Sequence, residues 1–303
     1  MSNGKILIIG SEGFIGSNAV SYFSEKQYEV WKADIVLKDE PAYTVLDSVR
    51  PDFASLFATQ RFDVCLNATG AANVQFSFGH PGIDFMLNVA NVYAMLDAIR
   101  EHAPGCKFMN LSSAAVYGNP THCPVPESAP LQPLSPYGFH KIYSEEVCGE
   151  FHRFYQIPTA SLRIFSAYGE GLKKQLFWDL YQKTKAAKDG RIELFGTGEE
   201  TRDFIYVRDI LEAIHCVIRN AAFNGQTINI ASGQETTIAD AATVFLRCLG
   251  SGLEPRFSGA AKQGDPLRWK ADIGLLKSYG FAPRHGLEDG LKNYTRWLGE
   301  KAF

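Results

Sequence analysis

The stretch KILIIGSEGFIG, residues 5–16, limits what this chain can fold into more than any other. KILIIG (5–10) is an apolar run without alternation and too short for a helix, as in a strand covered on both faces of a parallel sheet. It runs straight into Gly10, Gly13 and Gly16, and FIGSNAVSYFSEK (14–26) then reads as a helix. A strand that ends in glycines and opens into a helix gathers backbone N–H groups and the positive end of the helix dipole at one point. Glycine has no Cβ to keep a pyrophosphate away from that backbone. Gly10, Gly13 and Gly16, with Phe14 and Ile15 inside the turn, are therefore candidate phosphate-binding residues, although the spacing is GxxGxxG and not GxGxxG.

Asp34 ends the next apolar segment, YEVWKADI (28–35), eighteen residues after Gly16. A carboxylate there can accept both ribose hydroxyls of an adenosine and would repel a 2′-phosphate, which favours NAD over NADP. Further short runs, AYTVLD (42–47), DVCLNAT (63–69), KFMNLSS (107–113) and TASLRIF (159–165), alternate with helical patterns near 82–102 and 137–155. This alternation predicts an α/β fold: a Rossmann-type doubly wound parallel sheet with helices on both faces. The second half changes character, with helical patterns at 176–188, 203–219 and 238–250 and strands at 191–198 and 226–232. The expected division is an NAD-binding domain over 1–167, rejoined by segments near 202–232, and a smaller α/β substrate lobe over most of 168–303.

Bulk properties narrow the function classes. A net charge of −3 and a pI near 6.2 give no basic surplus for nucleic acid or anionic membrane. No run of about 18 apolar residues is present to span a bilayer. The opening MSNGKILIIG lacks a secretory pattern. The six cysteines are scattered without CxxC or Cys/His spacing, so neither a metal site nor a disulfide framework is expected. Reduced thiols in a cytoplasmic protein are the simple reading.

SPYGFHK (135–141) sets Tyr137 and Lys141 four positions apart, on one face of a helix whose first turn holds Pro136. Taken alone, the pair could be a surface tyrosine beside a solvated lysine. With Gly10–Gly16, with Ser112-Ser113 and Val116-Tyr117-Gly118, the set resembles the extended short-chain dehydrogenase/reductase family. It is most similar to the NAD-dependent nucleotide-sugar epimerase/dehydratase branch of UDP-glucose 4-epimerase type. NATGAANVQFSFGHP (67–81) with Asn88-Val89, LRIFSAYGEG (162–171), GTGEETRDFIYVRD (196–209), NIASG (229–233) and Gly264-Asp265 follow the family's order along nearly the whole chain.

The resemblance implies Ser113, Tyr137 and Lys141 as the catalytic triad, with Ser113 bonding the reacting oxygen and Lys141 also holding the nicotinamide ribose. A free phenol has a pKa of about 10, so Tyr137 needs positive charge nearby to act as a base. The resemblance further implies Asp47 toward the adenine, Ala68, Thr69 and Gly70 along the coenzyme channel, and Asn88 beside it. Arg202 matches the arginine that grips the substrate diphosphate, a task that suits a guanidinium. Asp265 would hold a ribose hydroxyl. Ser166 stands where many relatives carry Asn, and Lys262 where many carry Arg, so neither sugar nor base is fixed. The 4,6-dehydratases place Asp-Glu after the catalytic Ser/Thr; Ala114 and Ala115 stand here, which argues against 4,6-dehydration.

The expected activity is NAD-dependent epimerisation of a nucleotide sugar at C4, through a transient 4-keto sugar. A nucleotide 4-keto-sugar reductase needs the same triad, and oxidative decarboxylation of a uronic acid is a third reading. A non-catalytic NAD sensor is the alternative of a different class. The resemblance also implies a homodimer packed through a helix bundle, for which 82–102 and 137–155 are the candidate helices.

Overall fold

The computed structural model describes residues 3–187, 190–259 and 266–300 of the chain. In chain order the first part holds β1 (Lys5–Ile9), α1 (Phe14–Glu25), β2 (Glu29–Asp34), β3 (Tyr43–Val45), α2 (Phe53–Thr59), β4 (Val64–Asn67), α3 (Val74–Gly79) and α4 (Pro81–Phe85). A π-helical turn, Met86–Ala90, leads into α5 (Asn91–His102), followed by β5 (Lys107–Ser113), α6 (Pro136–Tyr155) and β6 (Thr159–Ile164). Then come β7 (Ser166–Tyr168), α7 (Gln175–Ala186), β8 (Arg191–Leu194), β9 (Thr201–Arg202), β10 (Phe204–Tyr206), α8 (Val207–Asn220) and β11 (Asn224–Ile230). The chain closes with β12 (Thr236–Thr237), α9 (Ile238–Cys248), β13 (Glu254–Phe257), α10 (Gly274–Ser278) and α11 (Leu287–Glu300).

Seven strands form one sheet in the order β11-β6-β5-β4-β1-β2-β3, with every neighbouring pair parallel. The order reverses between β1 and β4, where doubly wound sheets open a crevice at the strands' C-terminal edge. The period of two is visible in β1. Ile6 and Ile8 join the core under α1 and α8, with Phe23, Ile210 and Ile214. Leu7 and Ile9 face the opposite core, built by α2, α5 and α6, with Phe57, Met95 and Phe151. That is why the run is apolar throughout: both faces of the strand are covered. A third core, around Phe177, Phe245 and Tyr294, is made by α7, α9 and α11. β8 pairs in parallel with β13 beside it.

Three differences from the sequence expectations lie in the first half of the chain. The helical pattern over 82–102 is not one helix: α4, the π turn and α5 divide it. The third strand is Tyr43–Val45, shorter than 42–47, because it is an edge strand paired only through Lys32, Ala33 and Asp34. α2 has no expected counterpart; seven residues with an Asp52 cap are too few to show a helical period. Among the described residues no helix is long and apolar enough to cross a membrane.

Candidate active site

The glycine turn is shaped by contacts that a Cβ would forbid. Gly10 has φ +84, and a Cβ there would lie 2.8 Å from the Ala68 carbonyl. A Cβ on Gly16 would lie 1.9 Å from the Gly10 carbonyl oxygen. α1 therefore starts directly against the end of β1. Gly13 is its N-cap and no side chain caps it, so the first-turn N–H groups, including those of Phe14 and Ile15, remain suited to an anion. The Phe14 side chain packs toward the third core and Ile15 toward the first, which leaves only their backbones for that task.

Asp34 closes the turn from β2. Its Oδ2 accepts from Glu12 N at 2.9 Å and its Oδ1 from Val36 N at 3.2 Å. Asp47 lies on the next loop, where its Oδ1 accepts from Val49 N and Arg50 N, both at 2.7 Å. Those backbone bonds hold its carboxyl below the usual carboxylate range. It lines an open cavity of about 440 Å³ between β3 and α2.

From β4, Ala68 N donates to Ile9 O at 2.8 Å, and Thr69 Oγ1 donates to Asn67 Oδ1 at 2.6 Å. Gly70, at φ +104, brings the floor together: a Cβ there would lie 2.4 Å from Asn88 Oδ1 and 3.4 Å from Lys141 Nζ. Asn88 sits in the π turn and donates to Asp84 O at 3.1 Å and Ala71 O at 3.4 Å.

The catalytic candidates come from β5 and α6. Ser135 caps α6 by accepting from Gly138 N at 3.2 Å, and Pro136 occupies the first helical position. Gly138 lets the helix approach: a Cβ there would lie 2.7 Å from both Ala115 O and Pro133 Cβ. This seats Tyr137 near Ser113, whose hydroxyl favours the ionised phenol. Ser113 Oγ also accepts from Ala115 N at 3.2 Å. Lys141, one turn along, is buried; its Nζ donates to Leu111 O at 2.8 Å and lies 5.7 Å from the Tyr137 ring centroid.

Burial dominates the electrostatics of the pair. Burial pushes the Tyr137 phenol up to about 12; the nearby Asp84 carboxylate adds to this, and the Ser113 hydrogen bond opposes it. Burial also brings the Lys141 ammonium down to about 8. Lys141 alone therefore does not make the phenolate in the bare polypeptide.

The residues expected on the substrate side are spread around the cleft. Ser166 opens β7, and its N donates to Asp203 O at 3.0 Å. Arg202 lies over the Trp269 ring, 5.5 Å from its centroid, and donates to Thr201 O at 2.8 Å. Trp269, which the sequence reading missed, is tethered by Nε1 to Gly118 O at 2.9 Å. Lys262 and Asp265 lie outside the described residues.

Two polar assemblies beneath the site also escaped the sequence reading. Asn67 Nδ2 donates to Asn110 Oδ1 at 3.1 Å, and Asn110 Nδ2 to Ser144 Oγ at 3.1 Å, which ties β4 and β5 to the catalytic helix. Buried Arg163 binds Glu145 at 2.7 Å, and Ser112 donates to the same carboxylate at 2.5 Å. Their members are tens of residues apart, so no local spacing could reveal them.

The family profile of NAD dependent epimerase/dehydratase proteins matches residues 6–231. A Methanocaldococcus jannaschii protein provisionally named a UDP-glucose 4-epimerase is 28% identical over 97% of this chain and 98% of its own length. The dTDP-glucose 4,6-dehydratase of Streptomyces antibioticus is 26% identical over 97% of this chain and 92% of its own. The UDP-glucuronic acid 4-epimerase of Bacillus cereus, solved with UDP-glucuronic acid and NAD, superposes with a TM-score of 0.87 at 25% identity. That superposition covers 98% of this chain and 99% of the other. With the glycine turn, Asp34 and the Ser113–Tyr137–Lys141 cluster at one sheet edge, and with the profile spanning most of its length, the chain belongs to the NAD dependent epimerase/dehydratase family.

Proposed function

We propose that the protein is an NAD-dependent nucleotide-sugar 4-epimerase. The observation that carries this is the convergence of Ser113, Tyr137 and Lys141 beside an uncapped helix start, with Ala114 and Ala115 where an acid–base pair for dehydration would stand. The cradle fits NAD: Gly10 and Gly16 leave room where a Cβ would clash, and Asp34 presents a carboxylate at the end of β2. When bound, the coenzyme supplies a reversible hydride acceptor at C4 and the positive charge that the Tyr137 phenol lacks.

The protein's own part is proton handling and positioning. Tyr137 takes the 4-hydroxyl proton as hydride leaves C4, and the C4–O bond becomes a carbonyl. Ser113 hydrogen-bonds that oxygen through the oxidised stage. The keto sugar then presents its other face, hydride returns to C4, and Tyr137 gives the proton back, so no coenzyme is consumed. Arg202 is the arm for the diphosphate, with Ser166 toward the sugar, and Lys262 and Asp265 as further substrate contacts. Asp47 would serve the adenine, and Thr69, Gly70 and Asn88 the nicotinamide end.

We further infer a homodimer. The outer faces of α4, the π turn and α5 expose Ile83, Phe85, Met86 and Tyr93, and α6 exposes Phe139 and Tyr143. Apolar residues grouped in this way mark an interaction surface. The six cysteines are all free thiols, in keeping with a cytoplasmic protein.

The test is a panel of UDP-, GDP-, CDP- and dTDP-sugars incubated without added coenzyme. A product of unchanged mass and changed configuration supports the epimerase. A panel that stays inert until reduced coenzyme and a 4-keto sugar are supplied would identify a reductase instead.

A further inference from the structure

Directly behind Tyr137 and Lys141 lies a buried ionisable pair that the proposed chemistry does not use. Asp84, on α4, is fully buried, and its Oδ2 is 2.5 Å from Nδ1 of His140, which is itself 8% exposed. His140 sits between the two catalytic residues on α6. The carboxylate comes from the turn of helix that precedes the π segment, and Asp84 Oδ1 has no hydrogen-bond partner among the described residues. Neither has Asn88 Oδ1, the atom that abuts Gly70 near Lys141. A carboxylate taken out of water is costly unless it is paired, so a one-sided pair here calls for an explanation.

We propose that Asp84 and His140 are positioning residues of the catalytic centre, pinning the start of α6 to the π turn and setting a fixed negative charge beside Tyr137 and Lys141. This rests on the reading of those two residues as the catalytic pair. The charged and titratable groups around the pair can be named element by element. α6 contributes Tyr137, Lys141, Tyr143, Glu145 and Cys148; β5 contributes Ser113; the residue before α7 is Lys174. At the start of α4, His80 offers its backbone carbonyl to Asp84 N at 3.0 Å. The Asp84 carboxylate raises both the phenol of Tyr137 and the ammonium of Lys141. It thus opposes the effect of burial at the lysine and adds to it at the phenol, favouring the charged ammonium and the protonated phenol. The Phe85 and His140 rings pack at near right angles with centroids 5.5 Å apart, which links the pair to the exposed apolar face.

The first readout of the test needs no substrate. Phenolate absorbance is followed against pH in the NAD-loaded protein and in Asp84→Asn, each referenced to its own Tyr137→Phe counterpart. Asn is isosteric and can still accept from His140, so the variant is expected to fold. The Tyr137 midpoint should fall by about half a unit to one unit when the negative charge is removed. The rising limb of the kcat profile should move the same way, with KM unchanged. Asp84→Ala provides a second reading of the same shift. Midpoints that coincide with the wild type, alongside a lowered melting temperature, would overturn the proposal and leave the pair a packing contact. A wild-type protein that epimerises no nucleotide sugar would count against the function and would leave this titration readable.

Discussion

Residue by residue, the site divides into groups that touch the reacting atoms and groups that hold them. Tyr137→Phe removes the proton acceptor and keeps the ring, so kcat should drop by about 10²- to 10⁴-fold while NAD stays bound. Retention of near wild-type turnover would remove Tyr137 from the chemistry. Lys141 carries a sign that pH can read. Its ammonium is the useful form, and burial has brought it down to about 8. Activity should therefore decline as pH rises through that value and the charge is lost. Replacing Lys141 with Met should lower kcat by about 10²-fold or more and abolish that decline. Glycines matter as much as the reactive groups. In Gly16→Ala the new methyl would stand 1.9 Å from the Gly10 carbonyl oxygen, so α1 must retreat from β1. The purified variant should retain at most about a tenth of the wild type's NAD, as assayed after acid release.

At the scale of the elements, legibility follows sequence distance. The glycine turn, Asp34 and the Tyr137–Lys141 pair could be read because each is a local pattern on one strand–helix unit. The divided helix over 82–102 could not, since the π turn at Met86–Ala90 leaves the apolar spacing nearly intact while rotating Asn88 inward. Trp269, Asn110 and the Asp84–His140 contact escaped for the same reason: each is defined by a partner far away in the chain. Asp203 is a further instance, and it carries a stability prediction. Its carboxylate accepts from Ser232 N at 2.9 Å, Ser232 Oγ at 2.7 Å, Gly233 N at 3.0 Å and Ala271 N at 3.1 Å. It thereby ties the start of β10 to the turn after β11 and to the segment before α10. Asp203→Ala would leave three backbone N–H groups without their acceptor, at a cost of roughly 3 kcal/mol or more. Urea unfolding should show this; a loss under 1 kcal/mol, about the net worth of one ordinary hydrogen bond, would mean the tie is not structural.

For the whole molecule, the sheet order brings the glycine turn and the catalytic candidates to one edge. β1, β4 and β5 are neighbours, so Gly10, Gly70 and Ser113 come to adjacent strand ends, and α6 packs on the β5 side of that row. Asn18 on α1 donates to Glu170 O at 2.9 Å, in the segment between Tyr168 and Leu172 of the third core. The apolar outer face of α4–α5 and α6 belongs to this scale as well. Phe139→Asp should convert a dimer to monomers in sedimentation, and an unchanged sedimentation coefficient would place the interface elsewhere.

The central claim is that hydride leaves C4 and comes back to the same carbon within one closed site. The most direct measurement uses a nucleotide sugar that is turned over, labelled with deuterium at C4, and follows the label into the epimer by mass and nuclear magnetic resonance. The account predicts that the label is retained at C4 with no coenzyme added and no exchange with solvent. Loss of the label to water would mean that C4 is inverted by proton abstraction and not by hydride transfer, and would contradict the roles given to Tyr137, Lys141 and the glycine turn.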